Sequence, residues 1–446
     1  MPHRRLACSV LLAALAAGSV MAQEFRVYTE HPRLFLQPRK LGLLQKEKQR
    51  QSVRWQQFET LIKAEGALPE PGLANALYSQ VSGDTSYCAK AVDWAQTDGA
   101  GLRELALVFD WCQPSLTERT SEALATKIER GIQAASKDSS IPAVRDRVLA
   151  AVALAERSPG LSEQQLRLAV EQWWRGQMVS AFNNGRDAIP RDQLLALFEI
   201  LHAVRDNLKL DLRDSAPGYF GDLPASLMLS YYPSPYPAAE NQYYVPAVKG
   251  GGQPDVRRAA LARAAGLCLV SYDAASEEQQ FLQGWLTQDR FMLRSAFGAP
   301  YEFLWENPYQ PGLSYYHFPL FFHNKSVGAL FLRSSWDEDA TWLGYLDGEL
   351  QIFDKDGLKI VANQPASKPI RIGNAAVYVL SGERSFRVTP PEVDTVFFLG
   401  LRPNAAYAVE VQGEKKSTGK TDPGGILAVS VLERPGAEVR IRETAP

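Results

Sequence analysis

Hydrophobic residues repeat at two different intervals along this chain, and the interval changes close to residue 320. Before that point, apolar residues recur every three or four positions, which is the spacing of amphipathic helices. After it, apolar and polar residues alternate in short segments, with turn sequences such as Asp347-Gly348 and Asp356-Gly357 between them. Such alternation is typical of antiparallel strands. The pattern therefore predicts a helical half followed by a sheet half.

Helical spacing begins at Pro38 and recurs in several further segments of the first half. These are residues 74–78, 87–95, 102–112, 121–135, 141–156, 162–181, 190–208 and 254–271. Successive antiparallel helices form a bundle, a solenoid or a closed ring of helical hairpins. The sequence has no fixed-period repeat, which disfavours the solenoid.

Strand-like alternation recurs in nine segments of the second half. These are residues 329–334, 341–346, 349–353, 358–361, 375–380, 395–401, 407–412, 426–432 and 438–442. Short strands at even spacing indicate a β-sandwich. The part from about residue 384 onward is predicted to be a C-terminal β extension or a separate small sandwich.

Two stretches interrupt these patterns and are rich in aromatic residues. Residues 300–319 combine prolines with tyrosines, and residues 229–252 contain five tyrosines. A long loop inside a compact domain is usually functional or disordered, and its tyrosines argue against disorder. Because ligand clefts often lie where two domains meet, both stretches are candidates for lining one.

The N-terminus predicts export. Arg4 and Arg5 precede a short apolar run, residues 11–20, and Ala22 offers a small residue for signal peptidase. This is the pattern of a cleaved signal peptide over residues 1–22. No later run reaches the roughly 20 apolar residues of a membrane span. We therefore expect a secreted or periplasmic protein without a membrane span.

Charge and cysteine content narrow the expected partners. The formal net charge is −2, and removal of residues 1–22 removes two arginines and no acid. This balance gives no reason to expect a nucleic-acid partner. Three cysteines follow residue 22, so at least one is free; a Cys88–Cys112 disulfide is allowed, and no pair has zinc-site spacing. We expect neither a metal nor a cofactor.

Two motifs resemble one known family. Residues His31-Pro-Arg-Leu-Phe-Leu36 open the helical half, and Phe331-Leu-Arg-Ser-Ser-Trp-Asp-Glu-Asp-Ala-Thr-Trp342 opens the sheet half. With the helical middle, they resemble the heparinase II/III-like polysaccharide lyases over residues 26–361. The resemblance implies an incomplete (α/α) toroid followed by an antiparallel β-sandwich. It also implies β-elimination of a uronic-acid polysaccharide in the cleft between them.

One motif of that family is missing. The family has a His-x-His-x-Asp segment after the tryptophan motif, whereas this chain reads Leu343-Gly-Tyr-Leu-Asp-Gly348 and has no histidine there. Either the chemistry uses other residues, or the protein is a binding protein on a lyase scaffold.

β-Elimination requires a group that neutralises the uronate carboxylate, a base and an acid. Asn183, Asn184 and Arg186, which follow a predicted helix, are candidates for neutralisation, because amide and guanidinium groups bind carboxylates without a metal. The resemblance implies asparagine in this role. The alternative is a helix C-cap, where Asn-Gly is common.

His202 is the first candidate base. Glu199, Arg205 and Asp206 lie about one helical turn away, and a carboxylate there would fix the tautomer of the imidazole. The alternatives are a half-buried structural histidine and a structural Arg205–Asp206 ion pair.

The tyrosine-rich loop supplies further candidates. Tyr243 is the candidate acid, and Tyr232 and Tyr244 are candidates for stacking on sugar rings. Glu240 and Asn241 lie at the predicted tip of the loop, where a ligand would reach them. Packing against neighbouring helices is the alternative for each tyrosine.

The connector supplies a second acid/base candidate, His317, with Tyr315 and Tyr316 beside it as substrate-binding residues. A role in the core beside a strand is the alternative for His317. Arg333 is a candidate for an ion pair across the domain boundary or, alternatively, for carboxylate binding.

The sequence thus predicts an α+β multidomain protein. Its predicted parts are a signal peptide (1–22), a helical (α/α) toroid (23–299), an aromatic connector (300–326), an antiparallel β-sandwich region (327–383) and a C-terminal β extension or small sandwich (384–446). The predicted function is lyase-like binding and cleavage of an acidic polysaccharide or oligosaccharide. Two alternatives stay open: a non-catalytic carbohydrate-binding or envelope scaffold protein, and a glycoside hydrolase using Glu240 and Asp206.

Overall fold

The structure is a computed structural model that describes residues 25–64, 68–184, 189–237, 242–251, 256–272, 276–287, 297–361 and 368–444. The predicted signal peptide lies outside these ranges. Helices occupy the N-terminal part of the described chain, and sheets occupy the C-terminal part, which confirms the predicted order of the two halves.

Fourteen helices are found in the described residues. They are α1 (Pro38–Gln49), α2 (Val53–Lys63), α3 (Pro71–Ser82), α4 (Thr85–Gln96), α5 (Leu102–Trp111), α6 (Glu118–Ala134), α7 (Ile141–Ala153), α8 (Pro159–Arg167), α9 (Val179–Asn183), α10 (Leu194–Leu208), α11 (Pro217–Leu229), α12 (Val256–Tyr272), α13 (Glu277–Leu286) and α14 (Ala299–Trp305). A π-helical segment, Leu168–Met178, joins α8 to α9, so residues 159–183 form one continuous helical run.

Local sequence explains where several of these helices begin. α1, α3, α7 and α8 each have a proline in the first two positions, where its missing N–H and fixed φ cost nothing. Ser52 and Thr117 cap α2 and α6 by accepting from the main-chain N–H of Trp55 and Thr120, which satisfies an otherwise unpaired donor.

Three helices were not predicted from the sequence: α11, α13 and α14. α11 contains Pro224 and is apolar on most sides, so it lacks a clear helical period. The prolines of residues 300–319 were expected to prevent a regular helix, yet α14 spans the first six of those residues with Pro300 in its first turn. Proline is tolerated at that position.

The strands form three sheets and one short hairpin. They are β1 (Tyr236–Pro237), β2 (Gln242–Tyr243), β3 (Phe321–Asn324), β4 (Ala329–Arg333), β5 (Trp342–Leu346), β6 (Glu349–Asp354), β7 (Gly357–Val361), β8 (Ile370–Ile372), β9 (Ala375–Val379), β10 (Ser385–Val388), β11 (Thr395–Leu399), β12 (Ala406–Val411), β13 (Glu414–Lys420), β14 (Leu427–Ser430) and β15 (Val439–Glu443). The first sheet has the order β3-β4-β5-β6-β7, the second β14-β11-β9-β8 and the third β10-β15-β12-β13. Between the described strands, the pairings are antiparallel except for the parallel pair β9 and β11.

The sheets are stacked on the helical half in layers. Phe331, Trp342 and Phe353 on one face of the first sheet belong to the core of the helices. Residues of the other face, such as Leu330 and Leu343, pack against the second sheet. Alternate residues of a strand point to opposite faces, so the first sheet is buried on both sides and joins the two halves.

The second sheet is also covered on both faces. Val377 packs toward the first sheet, whereas its neighbours Ala376 and Tyr378 pack toward the third. This explains why Ala375–Val379 is a continuous apolar run instead of an alternating one. Strands that precede residue 383 in the sequence and strands that follow it belong to this one sheet. The predicted domain boundaries stay predictions.

Two features stabilise the helical half from within. Cys88 and Cys112 form a disulfide between α4 and the end of α5, and Cys268 is a buried free thiol. Arg103 of α5 forms an ion pair with Glu199 of α10, with 2.5 Å between Nη2 and Oε1, and both side chains are buried. No helix in the ranges given above is long and apolar enough to cross a membrane.

Candidate functional site at the helix–sheet boundary

Buried hydrogen bonds hold the first sheet against the helices. The indole N–H of Trp342 donates to the carbonyl of Leu229 over 2.7 Å. The hydroxyl of Tyr232 donates to Oε1 of Gln351 over 3.0 Å, and its ring stacks on Phe353. Tyr232 is only 2% exposed, so its ring is covered by protein. Its predicted contact with sugar stays a prediction.

A groove of about 750 Å³ opens where the two halves meet. Its helical side includes Arg191, Asp192, Tyr219 and Arg258, and its sheet side includes residues of β3, β4 and β5 with Asn324 and Asp347. Apolar side chains, among them Leu223, Val327 and Phe331, also line the groove. A concave, mainly apolar surface with a few polar groups is the usual form of a ligand site.

The two arginines of the groove differ in their surroundings. Arg191 is half-buried, and its guanidinium donates to Oγ of Ser230 and lies 5.7 Å from the ring centre of Tyr231. Arg258 projects from α12 and is exposed. Arg191 is therefore held in place by the protein, whereas Arg258 is the more accessible cation of the pair.

Arg333 lies on the face of β4 that lines the groove, but beyond the end of the groove. It follows Ala329 and Phe331 at alternate positions, so its Cα lies about 7 Å beyond that of Phe331 along the strand. The guanidinium Nε donates to the carbonyl of Ser335 over 2.8 Å and lies over the ring of Trp336.

Burial lowers the pKa of Arg333 to about 10, and the nearby Tyr315, Tyr244, Asp337 and Tyr316 offset part of this effect. Arg333 thus brings together tyrosines of both aromatic stretches. Among the described residues, no carboxylate lies within ion-pair distance of its guanidinium.

The connector places an aromatic surface beside Arg333. The rings of Tyr315 and Tyr316 lie 4.6 Å apart, and Tyr315 packs edge-on against Trp336. Tyr316 is 57% exposed, and His317 on the same short turn is also exposed. Tyr244 reaches across the boundary and donates to Oε1 of Glu338 over 2.9 Å. Three of the predicted substrate-binding tyrosines therefore surround one arginine.

His202 lies elsewhere, beside a separate cavity of about 380 Å³ within the helical half. Its Nε2 is 2.9 Å from the carbonyl of Cys268, and its Nδ1 is 3.2 Å from Nη2 of Arg205. These contacts fit a neutral ring that donates through Nε2 and accepts through Nδ1.

Burial is the main cause that lowers the pKa of His202 well below the ordinary histidine value, and the charges of Arg205 and Lys40 add to it. Glu199 is turned away from His202 and toward Arg103 and Arg145. Arg205 pairs with Asp206 instead, with 2.9 Å between Nε and Oδ1. The histidine is thus held by an arginine and a main-chain carbonyl, and its predicted role as a base stays a prediction.

The asparagines lie at a third place. Asn183 ends α9, and Asn184 follows it with its amide donating to the carbonyl of Ser180 over 2.8 Å. Both are exposed, and Asn184 borders a cavity beside His323 and Asp422. The structure therefore does not bring Asn184 next to His202.

Three predicted site residues, and the side chain of a fourth, lie outside the part of the chain that the structure describes. Arg186, Glu240 and Asn241 lie outside the described residues. The backbone of Tyr243 pairs with that of Tyr236 in the β1–β2 hairpin.

Other residues of the boundary and the helical cavity were missed by the sequence interpretation. Arg191, Tyr219 and Arg258 line the groove, and Lys40, Arg54 and Glu306 line the cavity with His202. For Lys40 the sequence did contain a signal of an unusual position. Arg39 and Lys40 are cations in the first turn of α1, where the helix dipole disfavours positive charge. The others depend on tertiary packing.

No group of three or more potential metal ligands among His, Cys, Asp and Glu is found in the part of the chain that the structure describes. No known family model matches the chain, and no curated protein matches it in sequence. One solved structure with some likeness is a glycoside hydrolase. Its TM-score is 0.29 at 11% sequence identity, with 84% of this chain and 72% of that chain covered. A likeness at this level carries no argument about function.

Proposed function

We propose that this protein binds a uronic-acid-containing polysaccharide in the groove between its helical and sheet halves, on a lyase-like toroid and sandwich scaffold. The observation that carries the proposal is the composition of the groove, which has Arg191 and Arg258 on one side and Asn324 and Asp347 on the other. Guanidinium groups form paired hydrogen bonds with carboxylates. Amide and carboxylate oxygens on the opposite side accept hydrogen bonds from sugar hydroxyls.

The size of the groove supports a polymer as ligand. At about 750 Å³ and open to solvent, it has room for more than one sugar ring. The exposed ring of Tyr316, stacked on Tyr315, offers a flat surface of the kind on which sugar rings pack. In this proposal Arg333 positions those tyrosines, since the residue is 3% exposed and its Nε donates a hydrogen bond to the carbonyl of Ser335.

The predicted roles of Asn183, Asn184, Arg186, Glu240, Asn241 and Tyr243 in substrate binding or catalysis stay predictions. Export through residues 1–22 is also part of it, because polyuronates are extracellular substrates.

Cleavage by β-elimination is the second candidate function. One observation favours it: a single short turn carries exposed His317 together with Tyr315 and Tyr316, so an imidazole base and a phenol acid are close in sequence and space. In this mechanism His317 takes the proton next to the uronate carboxylate, and a tyrosine hydroxyl gives its proton to the leaving glycosidic oxygen.

A titration with defined polymers tests the binding proposal. The full chain is mixed with polygalacturonate, alginate or hyaluronan, and with the neutral glucan dextran as the control. We expect saturable binding to at least one uronic-acid polymer, weaker binding at higher salt because charged contacts are screened, and no binding to dextran. Equal binding to dextran, or no binding to any uronic-acid polymer, contradicts the proposal.

The ultraviolet absorbance of the unsaturated product tests cleavage in the same mixtures. If the protein is a lyase, absorbance rises with time, and His317→Ala abolishes the rise while Ser314→Ala, on the same exposed segment, preserves it. Binding without any rise identifies the protein as a binding protein and rejects the second candidate.

A further inference from the structure

The cavity beside His202 has chemistry of its own. It lies between α1, α2, α10, α12 and residues 305–310, and no strand residue in the described part of the chain lines it. Its lining and that of the groove share no residue. Its volume of about 380 Å³ suits a molecule of one or two sugar rings. The site is therefore independent of the proposed polymer groove.

Lys40 is the unusual cation of this cavity. Its Nζ lies 3.9 Å from the ring centre of Trp305, a cation–π contact. Within the described residues, the amine has no hydrogen bond or ion pair to a carboxylate or carbonyl. Burial lowers its pKa to about 7, although the charge of Asp206 acts in the opposite direction. Lys40 is thus a half-buried amine that has no ion pair among the described residues.

Two further polar atoms of the cavity residues are unsatisfied. Among the described residues, the indole Nε1 of Trp305 and Oε2 of Glu306 are buried and make no hydrogen bond, although Oε2 lies 3.3 Å from Nε of Arg54 in an ion pair. Burial also raises the pKa of Glu306 to about 7. A buried polar group without a hydrogen bond destabilises the fold, and such groups usually meet water or a ligand.

Two neighbouring arginines of the cavity are already paired. Arg54 pairs with Glu47 and lies 3.3 Å from Oε2 of Glu306. Arg205 pairs with Asp206 and donates to the carbonyl of Tyr272. Among the described residues, the cavity cations without an ion pair are therefore Lys40 and Arg39, and Lys40 is the less exposed of the two.

We propose that this cavity binds a small monocarboxylate that carries hydroxyl groups, of the class of sugar acids, with its carboxylate on the ammonium of Lys40 and its hydroxyls on Glu306 and Trp305. One carboxylate pairs with the ammonium of Lys40, which is half-buried, whereas Arg39 is exposed. Glu47, Asp206 and Glu306 also line the cavity, and their negative charge disfavours a dianion such as phosphate.

Proton uptake follows from this arrangement. A carboxylate beside Lys40 stabilises the ammonium and raises its pKa above the value of the empty cavity. The same carboxylate raises the pKa of Glu306, so both groups take up protons on binding. The other ionisable groups facing Lys40 are Arg39, Arg54, Arg205, Asp206, Glu47 and Glu306.

His202, Cys268 and Tyr272 remain neutral near pH 7. Burial lowers the pKa of His202, and it raises the pKa of Cys268 and of Tyr272. The affinity for a sugar acid should therefore fall as the pH rises above about 7, by up to roughly tenfold per pH unit.

Calorimetric titration tests the proposal. Full-length protein is titrated with glucuronate and galacturonate, and with methyl glucoside as the neutral control, in two buffers of different ionisation enthalpy at about pH 8. The variants are Lys40→Met and, as a matched control on the exposed side of α1, Lys46→Met.

We expect millimolar or tighter binding of a sugar acid with net proton uptake, and no binding of methyl glucoside. Lys40→Met should weaken binding by at least roughly tenfold and reduce proton uptake, whereas Lys46→Met should behave as wild type. Trp305→Phe, which keeps an aromatic ring but removes the indole N–H, should weaken binding a few-fold. Unchanged binding by Lys40→Met, equal binding of methyl glucoside, or no binding of either sugar acid to the wild type overturns the proposal. Binding of polyuronates in the groove would be unaffected by Lys40→Met, so the two proposals fail separately.

Discussion

Trp342 of the first sheet donates its indole N–H to the carbonyl of Leu229 at the end of α11, over 2.7 Å, and its side chain is fully buried. The ring also contacts Tyr232 and Phe331. One residue therefore connects the sheet to the helical half through a hydrogen bond and through packing, and the groove depends on that connection.

Replacing this tryptophan should destabilise the whole protein. Trp342→Phe removes the donor, leaves the Leu229 carbonyl unpaired and opens a small cavity, so the free energy of unfolding should fall by about 2 to 4 kcal/mol. Denaturant unfolding followed by circular dichroism measures this change. Ile360→Ala on β7, where the side chain is 51% exposed, is the control and should change stability by less than about 0.5 kcal/mol. A Trp342→Phe variant as stable as wild type would show that the boundary is not packed in this way.

The Arg103–Glu199 pair gives a second prediction. Glu199→Ala leaves the guanidinium of Arg103 buried with only Glu70 as a partner, so we expect a loss of about 3 to 5 kcal/mol. Adding Arg103→Met should restore part of that loss, because the unpaired charge is removed. A double-mutant cycle by chemical denaturation measures the coupling. Additive losses, with no recovery in the double variant, would contradict the pairing.

Lys40 should make stability depend on pH. Its pKa in the folded protein is about 7, below the 10.5 of an ordinary lysine, so the unfolded chain binds more protons between these values. Stability therefore rises with pH across that window, and the cost of the buried amine is fully present below about pH 7. Lys40→Met should be more stable than wild type by on the order of 1 to 3 kcal/mol near pH 6, with the difference shrinking toward pH 10. Unfolding measured at several pH values tests this; a difference that does not vary with pH would refute it.

The nine strands predicted from alternation all occur, because their apolar faces pack against another layer. Six of the described strands were missed: β1 and β2, which form the short hairpin, and β3, β8, β10 and β13, each of which lies at the edge of its sheet. Edge strands are often short, polar or charged, as in Glu414–Lys420, so they lack the hydrophobic alternation on which the prediction depends.

The candidate sites were harder to predict than the strands. Helical spacing correctly placed Arg205 near His202, but the carboxylate of Glu199, one turn earlier, binds Arg103 and Arg145 on other helices. Spacing along one helix gives the neighbours on that helix and does not give the partners that tertiary packing supplies. The clustering of Tyr244, Tyr315 and Tyr316 around Arg333 depends in the same way on how the two halves meet.

The affinity of two neighbouring arginine variants for a uronic-acid polymer tests the central claim most directly. Arg258 lines the groove, whereas Arg257, also exposed on α12, does not. We expect Arg258→Ala to weaken binding of the polymer roughly tenfold, because a charge-assisted hydrogen bond to a carboxylate is lost, and Arg257→Ala to bind as the wild type does. Equal affinities for the wild type and both variants would contradict the assignment of this groove as the polysaccharide site.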